Sequence, residues 1–171
     1  FDKAYDRIKS TIAEICQNLA NAIDVDVVDK DIMDKFYRLK SESGSESDIK
    51  DSLKTLMRIM YTIYGKKVIL LIDEYDVPLA KASEKNTAEN EYYSKMLDIM
   101  QGIMEASLKD NEYLKFAVVT GCLRVAKESI FTGTNNFATY SILDKRFSSF
   151  FGFSEDEVEK MLEIADRKEG S

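Results

Sequence analysis

Apolar residues recur at helical spacing along the first part of the chain, with charged residues at the intervening positions. One such pattern covers residues 4–23, a shorter one covers 32–39, and a third runs over about 48–64. Gly65 follows the third pattern and suits a left-handed C-terminal cap. The segment 41–47, rich in Ser and Glu, predicts a polar loop that is too short to separate domains. The amino-terminal part is therefore predicted to be helical.

The pattern changes at residues 68–72, where five apolar residues run without interruption. Such a short run of β-branched residues and leucine predicts a strand that is buried on both faces. Asp73 and Glu74 follow at once. Because burying two carboxylates inside a sheet is costly, we expect them at its carboxyl edge. Pro78 then prevents the strand from continuing.

A second strand is predicted at residues 114–120, after a helical pattern over about 89–108 whose methionines are expected in the core. A strand–helix–strand unit of this length predicts a right-handed parallel crossover, so the two strands should be adjacent or nearly so. A short helix is expected near 124–130, and the capping box Ser154-x-x-Glu157 predicts a last helix through about 166. Four phenylalanines are expected to pack that helix down: Phe147, Phe150, Phe151 and Phe153.

The acidic end of the first strand carries the candidate chemistry. In open α/β sheets, ligands bind at the carboxyl edge. Asp73 could hold Mg²⁺ there, directly or through water, and Glu74 could polarise an attacking water. This is the Walker B arrangement of those P-loop ATPases in which a catalytic Glu follows the metal Asp. The simpler alternative is that both residues only end the strand and cap the next turn.

Two residues after the second strand are further candidates. Thr120 stands where a polar side chain beside a Walker B strand contacts the attacking water or the γ-phosphate, which is the sensor role. A strand-end Thr that caps the next turn is the alternative. Arg124 could pair with phosphate oxygens or with Asp73 or Glu74, although a surface ion pair fits its spacing equally well.

The composition excludes several classes of site. The chain has 171 residues and a net charge of −7, which argues against broad nucleic-acid binding. It has no histidine, which removes Ser-His-Asp and Cys-His catalysis and His-ligated zinc. No transmembrane helix or signal peptide is predicted. The two distant cysteines, Cys16 and Cys122, fit the reduced thiols of a cytoplasmic protein.

The P-loop template G-x-x-x-x-G-K-[ST] has no match in the sequence. The single Gly-Lys pair, Gly65-Lys66, is followed by Lys67, and Met60 stands at the position of the first template glycine. The chain starts at Phe1 without Met, so we expect a fragment whose Walker A segment, if the protein is an ATPase, lies upstream. We expect this fragment to be inactive alone, with no cofactor bound and weak or absent affinity for ATP.

Longer stretches of the chain resemble a known family. Residues 65–78, Gly-Lys-Lys-Val-Ile-Leu-Leu-Ile-Asp-Glu-Tyr-Asp-Val-Pro, resemble the Walker B block of the bacterial AAA-ATPase-like proteins. Further blocks occur in the family's order at 106–111, 119–121, 123–131, 135–136, 140–144 and 151–153. The resemblance covers about residues 48–165. It implies an α/β chain with part of an ASCE-type P-loop NTPase fold: a mainly parallel sheet flanked by helices, without the Walker A strand and loop.

The resemblance also implies roles for single residues. Asp73 is the expected Mg²⁺-associated carboxylate and the contact to the Mg-ATP cofactor, and Glu74 is the expected activator of water. Thr120 falls near the sensor position, and Arg124 is a candidate polar contact of the site. Full-length members resemble fusions of this ATPase to a restriction-endonuclease-like nuclease domain.

The leading hypothesis is a single AAA-ATPase-like domain fragment over residues 1–171, with a helical part, 1–64, and an α/β part, 65–171. Its full-length protein would bind and hydrolyse Mg-ATP to control an attached effector such as that nuclease. The expected partners are ATP and this effector, with no membrane and no direct nucleic-acid contact from this piece. The alternative is a non-hydrolysing scaffold or protein-interaction module.

A third class is an Mg²⁺-dependent nuclease that uses Asp73, Glu74 and Asp76. It would need a Lys beside the carboxylates, whereas Lys66 and Lys67 lie at the other end of the strand.

Overall fold

The computed structural model describes residues 2–23, 27–83, 91–122, 130–131, 138–141, 144, 146–147 and 152–169. The chain divides into two compact units, residues 1–134 and residues 135–171. The predicted short helix near 124–130 falls almost entirely outside the described residues.

Four helices form the amino-terminal part of the first unit: α1 (Asp2–Ala20), α2 (Lys30–Lys40), α3 (Glu46–Lys50) and α4 (Ser52–Tyr64). Their apolar faces enclose a core, because residues three and four positions apart lie on one side of a helix. α1 contributes Ile12 and Cys16, and α2 contributes Phe36 and Leu39. The helical prediction for this part is thus confirmed.

The third predicted helix begins at Glu46 rather than at about residue 48, and it is divided in two. Ser45 caps α3 by accepting a hydrogen bond from the Asp48 N–H (3.1 Å), and the Asp48 carboxylate accepts one from the Ser45 N–H (3.0 Å). This capping box starts a helix at Glu46. A break at Asp51 then divides the predicted single helix into α3 and α4. Gly65 ends α4 with φ of 62°, the predicted left-handed cap.

Two parallel strands follow, β1 (Val68–Ile72) and β2 (Leu114–Val119), and they pair directly with each other. The chain between them forms α5 (Val77–Ser83) and α6 (Glu91–Leu108). The predicted adjacent parallel strands are therefore confirmed, and so is an α/β fold in this coarse sense. α5 begins directly after the acidic end of β1 and has Pro78 in its first turn, where the missing N–H of proline is tolerated.

The prediction that the first strand is buried on both faces is wrong. Successive side chains of a strand point to opposite faces, and Ile69 and Leu71 of β1 are exposed. Their paired residues on β2, Phe116 and Val118, are exposed as well. We call these four side chains the open face of the sheet. Among the described residues, helices cover only the opposite face of the sheet. The apolar composition of the strands predicts burial on both faces, but one face is exposed.

A second core cluster lies beneath the carboxyl ends of the strands. The α6 methionines Met96, Met100 and Met104 are buried and pack with Leu79 of α5, and Tyr75 completes this side of the core. The predicted core position of the methionine stripe is confirmed. Ile72 and Val119, the last residues of the two strands, pack against the same cluster. The carboxyl ends of both strands therefore pack against this second core cluster.

The second unit contains α7 (Glu155–Glu169). The predicted capping box is confirmed: the Ser154 N–H donates to the Glu157 carboxylate (2.8 Å), and the Glu157 N–H donates to Ser154 Oγ (3.4 Å). Phe153 is 71% exposed, so it does not pack the helix down as predicted. Phe147 instead contacts the ring of Tyr140 edge to face, while Phe150 and Phe151 lie outside the described residues.

Both cysteines are free thiols, and their surroundings differ. Cys16 is fully buried in the helical core, and this burial raises its pKa to about 11. Cys122 is exposed beyond the end of β2. In the part of the chain that the structure describes, no helix has the length and apolar character needed to cross a membrane.

Candidate functional site

The candidate site lies where the carboxyl ends of β1 and β2 meet. The Thr120 N–H donates to the Ile72 carbonyl (2.9 Å), and the Tyr75 N–H donates to the Thr120 carbonyl (3.1 Å). These two backbone hydrogen bonds continue the pairing beyond the last strand residues, so the acidic end of β1 stays beside the end of β2. The parallel arrangement therefore brings Asp73 and Glu74, which follow β1, to the same edge of the sheet as Thr120, which follows β2.

Asp73 and Thr120 are in direct contact. The Thr120 hydroxyl donates a hydrogen bond to Asp73 Oδ1, and both residues are exposed. This hydrogen bond restricts the orientation of the Asp73 carboxylate, which lies at an accessible edge. Two residues that are distant in sequence thus form a pair at the edge of the sheet.

Glu74 is exposed next to this pair and has an unusual backbone. Its φ is +54°, in the left-handed region that costs an L-residue energy and that occurs most often where function or a tight turn requires it. Its carbonyl accepts a hydrogen bond from the Val77 N–H (3.1 Å), which closes a turn leading into α5. The turn leaves the Glu74 side chain exposed to solvent at the sheet edge, where it is accessible to water.

Asp76 lies beneath the same edge and is only 3% exposed. Asp76 Oδ2 accepts a hydrogen bond from the Cys122 backbone N–H (2.8 Å), so the carboxylate joins the turn after β1 to the segment after β2. Tyr75 beside it packs edge to face on Phe131, with ring centroids 5.2 Å apart. Burial raises the pKa of the Tyr75 hydroxyl, and the negative charge of Asp76 raises it further.

Gly121 passes close over these two side chains. A Cβ at this position would lie 2.5 Å from the Tyr75 ring and 2.7 Å from Asp76 Oδ1, both shorter than real contacts. Sequence reasoning named Asp76 only as a nuclease carboxylate and did not single out Gly121 for a structural role. The signal available was a glycine directly after the strand-end Thr, because glycine is the residue that permits close backbone approach.

The remaining predicted site residue, Arg124, lies outside the described residues, and its role stays a prediction.

The carboxylates at this edge suit an Mg²⁺ ion held by one side chain, but they do not form a site of three carboxylates. Mg²⁺ is commonly held by one or two carboxylates together with waters and substrate phosphates, and the exposed, oriented Asp73 suits that use. Across the described ranges, no three Asp, Glu or Cys side chains gather as a metal site. Asp73, Glu74 and Asp76 therefore do not form the preassembled carboxylate cluster that the nuclease hypothesis requires.

A surface cleft of about 330 Å³ lies elsewhere, between the start of α2 and α4, and is lined by Asp29, Lys30, Asp31, Ile32 and Arg58. Arg58 donates to Asp29 there (2.6 Å). Both charges are partly solvated and satisfied by each other, so this cleft offers a surface ion pair rather than convergent chemistry. The strand-end residues remain the better candidates.

Comparison with known proteins supports a family assignment. The chain is 28% identical over 107 residues to an uncharacterized protein in the vnfD 5′ region of Azotobacter chroococcum mcd 1. The match covers 63% of this chain and 20% of that protein, so the chain spans only a small part of its relative's length. No solved structure matches the chain. Residues 2–131 match the model of the family described as predicted AAA-ATPases, and the chain belongs to this AAA-ATPase-like family.

Proposed function

We propose that this chain is part of an ATPase, and that its full-length protein binds and hydrolyses Mg-ATP at the carboxyl edge of the sheet. The observation that carries the proposal is the hydrogen bond from the Thr120 hydroxyl to Asp73 Oδ1, with Glu74 exposed beside it. Family membership supports the same activity. In finer terms, the proposal includes a partial ASCE-type P-loop NTPase fold.

Each residue has a distinct part in the proposed reaction. Asp73 would hold Mg²⁺, which when bound neutralises phosphate charge and orients the nucleotide. Thr120 orients the Asp73 carboxylate through its hydroxyl. Glu74 positions a water for attack on the terminal phosphate and accepts a proton from it, so that ATP and water give ADP and inorganic phosphate. Arg124 is proposed as a further polar contact of the phosphates.

The effector is a separate element of the proposal. ATP turnover would control another domain of the full-length protein, for which the family resemblance suggests a restriction-endonuclease-like nuclease. A cytoplasmic location agrees with the free thiols of Cys16 and Cys122.

The test compares variants of the full-length protein by phosphate release and nucleotide affinity. Glu74→Gln should reduce turnover by roughly 10²–10⁴-fold and spare ATP binding, because Gln cannot accept the proton from water. Asp73→Asn should weaken binding of Mg-ATP more than binding of ATP without Mg²⁺, because it removes negative charge from the metal site.

Glu14→Gln is the matched control, since Glu14 is an exposed acidic residue on α1. It should retain wild-type turnover and affinity. Full turnover in Glu74→Gln would exclude the role given to Glu74. A wild-type protein that binds ATP without turning it over would favour the alternative of a non-hydrolysing scaffold.

A further inference from the structure

The buried carboxylate of Asp76 joins the two strand ends at a point where the proposed chemistry does not use it. It is 3% exposed and accepts the Cys122 N–H at 2.8 Å. A charged acceptor is costly to bury unless it is hydrogen bonded, and a bond from a backbone N–H to a carboxylate is among the stronger kinds. The position of this hydrogen bond therefore calls for an explanation.

The location of the bond supplies one. Thr120 is held from its amino side by the bond from its own N–H to the Ile72 carbonyl (2.9 Å). On its carboxyl side, the chain is fixed two residues later by the bond from Cys122 to Asp76. These bonds hold the backbone on both sides of the Thr120 hydroxyl, which contacts Asp73. The link through Asp76 is thus one of three backbone anchors around this hydroxyl, and the third is the bond from the Tyr75 N–H to the Thr120 carbonyl (3.1 Å).

Gly121 allows the backbone after Thr120 to pack closely against Tyr75 and Asp76. Its missing side chain lets the backbone pass over Tyr75 and Asp76, where a Cβ would be 2.5 Å and 2.7 Å from their nearest atoms. The Tyr75 ring cannot move away easily, because it is 7% exposed and packs against Phe131. The close approach and the hydrogen bond therefore fix the same short segment by different physical means.

We propose that Asp76 is a positioning residue, which holds the end of β2 through the Cys122 N–H so that Thr120 orients Asp73 toward the nucleotide-bound metal. Asp76 itself touches neither substrate nor metal. The catalytic part of this inference rests on the proposed ATPase function. The structural part, a link between the two strand ends that depends on the acceptor of Asp76, can be tested without it.

The competing explanation is that Asp76 serves stability alone. Its backbone carbonyl accepts hydrogen bonds from the N–H groups of Leu79 (3.0 Å) and Ala80 (2.8 Å) at the start of α5, so it has a structural position there. A purely structural residue would change the fraction of folded protein on substitution. It would leave the metal dependence and the turnover of the folded molecules unchanged.

The experiment uses the full-length protein with three substitutions. Asp76→Ala removes the acceptor, whereas Asp76→Asn keeps an acceptor oxygen and the side-chain volume. Gly121→Ala adds a Cβ that would displace the backbone after Thr120 from Tyr75 and Asp76. Asp48→Asn is the control, because Asp48 is another buried carboxylate, 7% exposed, bound to Arg38 in the helical part. Turnover per folded molecule, half-saturating Mg²⁺ concentration and amide hydrogen exchange of the peptide containing Cys122 are measured for each.

We expect Asp76→Ala and Gly121→Ala to lower kcat by roughly 10–10²-fold and to raise the Mg²⁺ requirement, because displaced groups lose productive geometry. Both should increase exchange in the Cys122 peptide. Asp76→Asn should recover part of the exchange protection and of kcat. Asp48→Asn should lower stability and leave all three readouts at wild-type values.

Two failures are distinguishable. A wild-type protein without ATP turnover would reject the proposed function. An active wild type whose Asp76→Ala variant keeps wild-type kcat, Mg²⁺ dependence and exchange would overturn the positioning role alone, as would an equal effect of Asp48→Asn on these readouts.

Discussion

Glu74 occupies a backbone conformation that its side chain does not favour. Its φ of +54° lies in the left-handed region, where L-residues other than Asn and Asp are uncommon. The turn it forms ends β1, exposes the Glu74 carboxylate and leads into α5. A glycine would suit this backbone conformation better than Glu.

This strain predicts an inverted order of stability between two simple variants. Glu74→Gly should be more stable than Glu74→Ala by about 0.5–1 kcal/mol, because only Gly adopts this φ without a steric cost. At Glu14, inside α1, the order should be the reverse by about 1 kcal/mol. Urea unfolding of the four variants measures both differences. The same order at the two positions would contradict a left-handed conformation at Glu74.

Helices α2 and α3 are joined by an ion pair between the exposed Arg38 and the buried Asp48. Arg38 Nε lies 2.9 Å from Asp48 Oδ2, and Arg38 Nη2 lies 3.0 Å from Oδ1, so the contact is bidentate. Asp48 also closes the capping box of α3 with Ser45. The hydrogen bond from Arg38 is the main cause that lowers the pKa of Asp48 from 3.8 to about 2, and the bonds with Ser45 lower it further.

A lowered pKa makes the stability of the helical part depend on pH. The folded protein binds this proton less readily than the unfolded chain, so the contribution of Asp48 is complete above about pH 4 and is lost as the pH falls toward 2. Asp48→Asn should reduce the free energy of unfolding by about 2 kcal/mol at pH 7. Urea unfolding at several pH values should show the gap between wild type and variant closing over that window.

The matched control is Asp98→Asn, which breaks the ion pair with Lys50 (2.7 Å). Asp98 is 63% exposed, so its loss should cost at most about 0.5 kcal/mol. A gap for Asp48→Asn that persists unchanged at pH 2 would show that its effect comes from packing rather than from charge.

At the scale of the whole molecule, the described residues of the first unit place helices on one side of the sheet and leave the open face on the other. Ile69 and Phe116 are cross-strand partners there, and so are Leu71 and Val118. Adjacent residues of one strand therefore differ in environment: Leu71 is 72% exposed, whereas Leu70 is half-buried on the helix side.

This asymmetry predicts unequal costs for the same substitution at neighbouring positions. In this 171-residue chain, Leu71→Ser should change the free energy of unfolding by no more than about 0.5 kcal/mol, as for other exposed positions. Leu70→Ser should cost about 1–3 kcal/mol, because it loses buried apolar area. Equal costs in urea unfolding would show that both faces of the strand are covered.

The parts of the fold that sequence predicted are those with strong local patterns. Long apolar stripes at helical spacing located α1, α2 and α6, and two apolar runs located β1 and β2. The break at Asp51 was missed because the apolar spacing continues across it. Exposure of the open face was missed because composition does not reveal which faces of a strand are covered.

The candidate site shows the same limit. The sequence predicts Asp73 and Thr120 at one edge, because parallel strands bring their carboxyl ends together, but it does not predict the hydrogen bond between them. The contact of Asp76 with Cys122 was not foreseen, because its donor is a backbone N–H and any residue except proline carries one. Sequence therefore indicated which side chains meet at the edge, and only the structure showed what holds the edge in place.

The parallel pairing of β1 and β2 also bears on the order in which the protein assembles. Parallel strands cannot be joined by a tight turn, and here all of α5 and α6 separates them. Contacts between distant segments form slowly, because chain entropy is lost before they give any stabilisation. During synthesis, the helices α1–α4 can pack together before β2 has been synthesised. We therefore expect Asp73 to meet Thr120 late in folding, and a nascent chain that ends before β2 lacks the assembled edge.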